Sequence, residues 1–217
     1  MNFTRELRNL TKICSLALVC IFLFASCQEK TLDTHEDTLK GDLESVQFEE
    51  TENPTNFVKI EMMDGGIILI ELYPDVAPIT VENFKKLVSK NFYDGLIFHR
   101  VIENFVIQAG DPTGTGYHGS DETIKGEFGI NGFSNNLSHV PGVISMARSE
   151  AYDSASSQFF ICHGDCRESL DGRYAGFGKV IAGMDTVDKI AKTSTNGSDR
   201  PIKDQQISSI KFVNITK

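Results

Sequence analysis

The 217-residue chain has no tryptophan, few prolines and no long apolar run. Without tryptophan, a binding site that needs an indole ring is excluded. The main apolar stretch, residues 13–25, is shorter than the ~20 residues of a transmembrane helix. An excess of basic charge is also missing. The formal net charge is −9, which argues against nucleic acid as a partner. No internal repeat is visible.

The N-terminus has the pattern of an export signal. Basic residues precede the apolar residues 13–25, whose length suits the core of a signal peptide. The run ends in Phe-Ala-Ser-Cys, which resembles a bacterial lipobox in which Cys27 is lipidated. We therefore expect a lipoprotein signal peptide over residues 1–26 and a lipid anchor at Cys27, in the bacterial cell envelope. The alternative is an ordinary signal peptide that contains a cysteine.

Residues 28–55 are polar and strongly acidic, and their apolar residues follow no sustained period. Such a segment cannot bury enough surface to offset the entropy lost on ordering. With Cys27 it is predicted to form a flexible, self-repelling tether over residues 27–55. The alternative is an acidic docking segment.

Cysteine is scarce in the remaining residues, 56–217, where only Cys162 and Cys166 occur. A zinc site would need a second Cys-x-x-Cys or His pair, which is missing, so we expect no metal. An exported location permits a disulfide between the two residues. A buried Cys162 and a loop Cys166, both free, are the simpler interpretation, and the disulfide is left open.

Residues 56–217 are long enough for one domain with a substantial core. Apolar runs at 57–63 and 67–72 flank Asp-Gly-Gly, which predicts a hairpin. A helix is predicted after Pro78, with Thr80 as its N-cap. A second helix is predicted over residues 185–191. Further strands are predicted at 96–101, 105–109, 142–146, 158–162, 176–180 and 207–215. This pattern favours a closed antiparallel barrel with helical caps.

Two blocks carry the most specific motifs. Residues 98–116 read FHRVIENFVIQAGDPTGTG, and residues 145–161 read SMARSEAYDSASSQFFI. They resemble the two halves of the active site of cyclophilin-type peptidyl-prolyl cis-trans isomerases, and the resemblance covers residues 56–217. It implies a mainly β fold, a closed eight-stranded antiparallel barrel capped by two helices. It also implies an enzyme that accelerates rotation about X-Pro bonds in unfolded or flexible proteins, without a cofactor.

The resemblance also implies roles for individual residues. Arg100 matches the donor directed at the prolyl nitrogen, where a guanidinium offers a fixed fork of N–H groups. Phe105, Gln108 and Gln158 match the other catalytic positions. The matching substrate-binding positions are Val106, Gly114, Ala147, Arg148, Ser149, Phe160, Leu170 and Tyr174.

Four positions depart from the usual family pattern. Val106 stands where the family typically has Met, and Arg148 where it has Asn. Ser169 stands where many members have Trp, and Tyr174 where many have His. We expect the proline pocket to persist with an altered shape, and the preference for the residue before proline to shift.

Other functions were weighed against isomerase activity. The same groove could serve as a proline-segment-binding chaperone or scaffold module with little turnover. The run at residues 114–119 satisfies G-x-G-x-x-G, but no long apolar helix follows it, so a nucleotide site is not expected. A hydrolase triad of His99, Asp111 and Ser145 lacks the G-x-S-x-G elbow. We expect a monomer.

Overall fold

The computed structural model describes residues 43–216. The predicted signal peptide, Cys27 and residues 28–42 of the predicted tether lie outside the described residues. No helix within residues 43–216 is long and apolar enough to cross a bilayer.

Ten strands and three α-helices lie within the described residues. The strands are β1 (Phe48–Thr51), β2 (Phe57–Met62), β3 (Ile67–Leu72), β4 (Ile97–Phe98), β5 (Arg100–Ile102), β6 (Val106–Ala109), β7 (Val143–Met146), β8 (Phe159–Cys162), β9 (Gly176–Ala182) and β10 (Gln205–Ile215). The helices are α1 (Pro78–Ser89), α2 (Arg167–Leu170) and α3 (Met184–Ala191). Two 3-10 turns cover Leu43–Ser45 and Gly129–Asn131.

The strands form one antiparallel sheet in the order β1-β10-β2-β3-β9-β7-β8-β6-β5, and β4 pairs with β10 outside this path. The prediction of a mainly β, antiparallel fold with few helices is confirmed. The predicted closed barrel of eight strands is wrong in strand number and in closure. The chain changes partner at His99: Phe98 faces Gln205 of β10, whereas the His99 N–H donates to the Gln108 carbonyl, 3.0 Å away. This switch divides the strand predicted at 96–101 into β4 and β5.

The main core is built on the ring of Phe84 in α1, which is fully buried. Its centroid lies 5.2 Å from those of Tyr93 and Phe177, and 5.7 Å from that of Phe159. Val187 of α3 is buried in the same cluster. Tilted and edge-on rings at these distances add specific geometry to area burial, so this aromatic group fixes how the sheet and helices pack.

Residues 43–51, here called the N-terminal strap, lie in the folded unit. β1 pairs along its whole length with the end of β10, from Phe48 opposite Ile215 to Thr51 opposite Phe212. Strap side chains pack on an outward-facing apolar cluster that includes Leu69 and Val213. The predicted end of the tether at residue 55 therefore needs correction. A strand of four residues is too short to show a periodic pattern of apolar residues in the sequence. Its stability comes from a partner strand more than 150 residues away, which the local sequence does not reveal.

A buried lysine supports the strap. The Lys59 side chain is 6 % exposed, and its ammonium group bonds the Glu50 carboxylate of the strap and, at 2.6 Å, the Glu61 carboxylate. Desolvation alone would lower the pKa of Lys59, but the two carboxylates outweigh it and raise the pKa. Glu50, one of the acidic residues from which a free tether was predicted, thus makes a specific contact with the folded domain.

The start of α1 differs from the prediction. The helix begins at Pro78, so Thr80 lies inside it and is not the N-cap. The cap comes from Glu127, a fully buried residue on a distant loop. Its two carboxylate oxygens accept the backbone N–H groups of Ile79 (3.0 Å) and Thr80 (2.8 Å). A carboxylate at this end satisfies otherwise unpaired N–H groups and interacts favourably with the helix dipole.

We expect Glu127→Ala to lower the free energy of unfolding by about 2–3 kcal/mol, because two N–H groups of the first helical turn lose a charged acceptor. Urea denaturation followed by circular dichroism measures the change. Glu122→Ala is the matched control, because its carboxylate is exposed and, within residues 43–216, bonds only Lys86. Equal midpoints for the two variants would contradict the role assigned to Glu127.

Candidate active site

The side chains of β6 and β8 are divided between two surfaces of the sheet. In β6, Ile107 and Ala109 belong to the main core, whereas Val106 points to the opposite surface. In β8, Phe159 enters the main core and Phe160 the opposite surface. Successive side chains of a strand point to opposite faces of the sheet. The strand register that buries the core residues therefore also determines which side chains line the opposite surface.

Strand register sets a row of side chains across this opposite surface. Arg100 of β5 is the partner of Gln108 in β6, which is the partner of Phe160 in β8. Ser145 of β7 follows as the next partner of Phe160. Gln158 lies two residues before Phe160 and therefore shares its face. The sequence blocks at 98–116 and 145–161 meet in this row.

A directional chain of hydrogen bonds joins the polar members of the row. An Arg100 Nη1–H donates to Gln108 Oε1 at 3.4 Å, and Gln108 Nε2 donates to Gln158 Oε1 at 2.8 Å. Gln158 Nε2 then donates to the carbonyls of Gly116 (3.0 Å) and His118 (2.7 Å). Each amide uses its oxygen on one side and its nitrogen on the other. Arg100 is therefore oriented while other N–H donors of its fork remain available.

Next to this chain lies a second apolar cluster, here called the pocket cluster. Val106, Phe160 and Leu170 are buried in it, and Phe105, Ala147 and Tyr174 pack against it partly exposed. The Tyr174 ring meets the Phe160 ring edge-on, with centroids 5.8 Å apart. Six of the twelve predicted site residues thus share one apolar surface. Gly114, Arg148 and Ser149 lie outside it.

A buried carboxylate organises the loop beside Gln158. Asp111 is fully buried, and its oxygens accept N–H groups from Thr113 (2.7 Å), Gly116 (2.6 Å) and His118 (3.2 Å). Burial alone would raise the pKa of Asp111, but these bonds and the Thr113 hydroxyl hold it well below its usual range. The sequence indicated Asp111 only as a member of the rejected triad and carried no sign of this role in the loop.

Three of the predicted substrate-binding positions, residues 147–149 (here called the strip), are hydrogen-bonded to their surroundings. The Ala147 N–H donates to the Gln158 carbonyl at 2.9 Å, and the Ser149 N–H donates to Ser154 Oγ at 2.9 Å. Gly114 has a positive φ of 64°, and its carbonyl accepts a hydrogen bond from the Arg200 guanidinium. Hydrogen bonds therefore hold the loop glycine and residues 147–149 in place, and Ala147 also packs on the pocket cluster.

Three hydrogen-bonded side chains behind the pocket, Asp171, His139 and Ser145, were not predicted from the sequence. His139 Nδ1 lies 2.8 Å from Asp171 Oδ1, and His139 Nε2 lies 2.9 Å from Ser145 Oγ. The His139 ring also stacks on Phe160, with centroids 6.2 Å apart. Ser145 is fully buried, so it cannot meet a substrate as a nucleophile. The Asp171–His139–Ser145 group therefore supports the Phe160 ring on the side away from the pocket. No local motif predicts this group, because its three residues come from separate segments of the chain.

His99 does not join a triad. It is 5 % exposed, and neither ring nitrogen has a hydrogen-bond partner among the described residues. Burial lowers the pKa of His99 and thereby favours the neutral ring.

Cys162 and Cys166 are free thiols in the pocket cluster. Burial raises the pKa of both thiols, which keeps them protonated and poorly nucleophilic. Within residues 43–216, no group of three or more His, Cys, Asp or Glu side chains is arranged to hold a metal ion.

We expect the stability provided by Asp111 to depend on pH. Its pKa is depressed in the folded state and about 4 in the unfolded state, so the stabilisation is complete above pH ~4 and is lost as the pH falls below that value. Asp111→Asn should lower the free energy of unfolding by about 2 kcal/mol at pH 7, and the gap to wild type should narrow at pH 2–3.

Urea denaturation at both pH values tests this expectation, with the exposed loop variant Asp121→Asn as control. A gap for Asp111→Asn that is equally large at pH 7 and pH 2 would show that charge on this carboxylate does not matter.

Comparison with known proteins identifies the family. Residues 57–212 match the family model described as cyclophilin type peptidyl-prolyl cis-trans isomerase/CLD. A peptidyl-prolyl cis-trans isomerase of Acinetobacter baylyi is 44 % identical over 163 residues, covering 70 % of this chain and 84 % of its own length. Peptidyl-prolyl cis-trans isomerase B of Bacillus subtilis is 46 % identical over 134 residues, covering 62 % and 87 %.

Solved structures agree with this match. A Cryptosporidium parvum cyclophilin-type isomerase, crystallised in the presence of the dipeptide Ala-Pro, aligns with a TM-score of 0.65 and 32 % identity. The alignment covers 71 % of this chain and 97 % of that one. The chain therefore belongs to the cyclophilin-type peptidyl-prolyl cis-trans isomerases and is an enzyme that interconverts the cis and trans forms of X-Pro bonds.

Proposed function

We propose that X-Pro bonds rotate while they contact the hydrogen-bonded side chains of Arg100, Gln108 and Gln158. The pocket cluster binds the proline ring during this rotation. The observation that carries the proposal is the adjacency of an oriented guanidinium and an apolar surface. The barrier to rotation is about 18–20 kcal/mol and arises from amide resonance. A catalyst must therefore bind the twisted amide better than the planar one.

Arg100 supplies the electrostatic part of this selectivity. In the twisted amide the prolyl nitrogen becomes pyramidal and its lone pair can accept a hydrogen bond. A guanidinium N–H directed at that lone pair stabilises the twisted form and not the planar form. Asp199 lies 3.8 Å from Arg100 Nε, too far for a strong pair, and so leaves the fork usable. Gln108 and Gln158 maintain its direction.

The apolar part comes from Phe105, Val106, Phe160 and Leu170. A proline ring has no N–H and gains most from an apolar surface, and such a wall fixes the ring while the preceding carbonyl turns. Val106 is smaller than the Met usual at this position, so we expect the pocket to persist with an altered shape. The related enzyme crystallised with Ala-Pro supports a proline-containing peptide as ligand. No covalent bond breaks, so the reaction needs neither metal nor cofactor.

The working place of the enzyme is also a proposal. The lipobox at Cys27 supports attachment to a membrane of the bacterial cell envelope, with exported proteins in unfolded or flexible states as clients. The formal net charge of −9 supports a protein partner over nucleic acid. A monomer suffices, because every residue assigned to the site comes from one chain.

Arg100→Ala should lower kcat/KM for an Ala-Ala-Pro-Phe peptide by about 10²–10³-fold, the usual loss when one transition-state donor is removed. Arg100→Lys should recover little, because a single ammonium lacks the fork. A protease-coupled isomerisation assay measures both variants, and Arg167→Gln, which removes an exposed arginine paired with Asp165, is the control. If wild type is no faster than Arg100→Ala, the chain is a proline-binding module with little turnover.

Cys27→Ala should release the protein from membranes into the soluble fraction when the full chain is expressed in a bacterial host. The reason is that the variant lacks the cysteine sulfur to which the proposed lipid is attached. Membrane fractionation with immunoblotting provides the measurement, and Cys20→Ala serves as control. Unchanged membrane association of Cys27→Ala would rule out the anchor.

A further inference from the structure

Two of the positions that depart from the family pattern lie against each other. The guanidinium carbon of Arg148 is 4.7 Å from the ring centroid of Tyr174. It also lies 5.0 Å from the centroid of Phe128 and 5.2 Å from that of Tyr152. These distances are typical of cation–π contacts, which aromatic side chains make with arginine more often than with lysine. The usual Asn could make no such contact.

Hydrogen bonds fix the edge of the same guanidinium. Nε and Nη2 donate to the Arg173 carbonyl at 3.2 and 3.0 Å. Nη1 donates to the carbonyls of Ser149 (2.8 Å) and Glu150 (3.3 Å). Arg148 thus joins the strip at residues 147–150 to the loop that carries Tyr174. Its position is set before any substrate arrives.

The charge of Arg148 has no carboxylate partner. By contrast, Arg167 lies 2.6 Å from Asp165 and Arg200 lies 3.4 Å from Asp204. No carboxylate that the structure describes comes that close to Arg148. Backbone carbonyls and ring faces offset the charge only through dipoles and quadrupoles, so a net positive charge remains in an otherwise acidic protein.

This charge borders the proline pocket on two sides. Ala147, the preceding residue, packs on the pocket cluster. Tyr174, on which the guanidinium lies, meets the pocket residue Phe160 edge-on. Arg148 therefore lines the part of the groove next to the proline ring, and its departure from the usual Asn is the one expected to shift the preference for the residue before proline.

We propose that Arg148 is a specificity-determining residue that makes the groove favour substrates with an acidic residue directly before proline over those with a basic residue there. The inference rests on the proposed function of the groove. A carboxylate at that substrate position would supply the partner that the guanidinium lacks. An ammonium group would meet like charge.

The test uses three peptides that differ only before proline: Ala-Glu-Pro-Phe, Ala-Ala-Pro-Phe and Ala-Lys-Pro-Phe. Exchange between cis and trans forms is measured by NMR, which avoids the sequence preference of a coupling protease. For the wild-type full chain we expect the ratio of kcat/KM for the Glu and Lys peptides to be about fivefold or more, the scale of one partly exposed charge contact and its repulsive counterpart. The ratio should fall towards one at high salt.

Arg148→Gln should bring the ratio to about one, whereas Arg148→Lys should keep most of it because the charge is retained. Lys211→Gln removes the same charge from β10, away from the pocket cluster, and should leave the ratio as in wild type. Circular dichroism confirms that each variant is folded. An unchanged ratio in Arg148→Gln, or a wild-type ratio near one, overturns the inference.

The Ala-Ala-Pro-Phe peptide separates this failure from failure of the proposed function. Absence of wild-type activity on that peptide would reject the proposed function itself. Activity on that peptide together with an unselective wild type would reject only the role of Arg148.

Discussion

The alternation of side chains along β6 and β8 is the constraint on which the rest of the structure depends. Ile107 and Phe159 must fill the main core, so Val106 and Phe160 must face the other way. A shift of one residue in β6 would turn Gln108 into the core, and a shift of one residue in β8 would turn Phe160 away from the pocket. The core therefore fixes the site: the energy that buries one set of side chains also sets the register of the other.

Within that register, the order of hydrogen bonds determines what the site can do. Arginine can only donate, whereas a glutamine amide donates and accepts. With Gln108 and Gln158 in series, the chain must begin at Arg100 and end on carbonyls, which here belong to Gly116 and His118. The Asp111 carboxylate holds the loop that presents those carbonyls. Donors positioned in advance need not reorganise during the reaction, which is the main source of electrostatic catalysis.

Local patterns in the sequence were sufficient for most elements, whereas the residues of the pocket were named only through the resemblance to the cyclophilin family. The strand at 67–72 was predicted with its observed bounds, and residues from the two motif blocks meet in one row. The features that were not predicted share a cause: each depends on contacts between segments that are distant in the sequence. Glu127 caps a helix 47 residues before it, β1 pairs with the other end of the chain, and His139 joins Ser145 to Asp171. The predictions of strand number and of barrel closure were wrong for the same reason. The change of strand partner at His99 has no signature in the local sequence.

The N-terminal strap has a consequence for the range over which the enzyme can act. Because residues 43–51 belong to the folded unit, the tether proposed to follow Cys27 can include at most residues 28–42, about half of the residues 28–55 predicted from the sequence. At ~3.5 Å per residue, its greatest reach falls from roughly 100 Å to roughly 55 Å. The accessible volume scales with the cube of the reach and shrinks about sixfold. For any client held at the same membrane, the effective concentration of the groove rises accordingly.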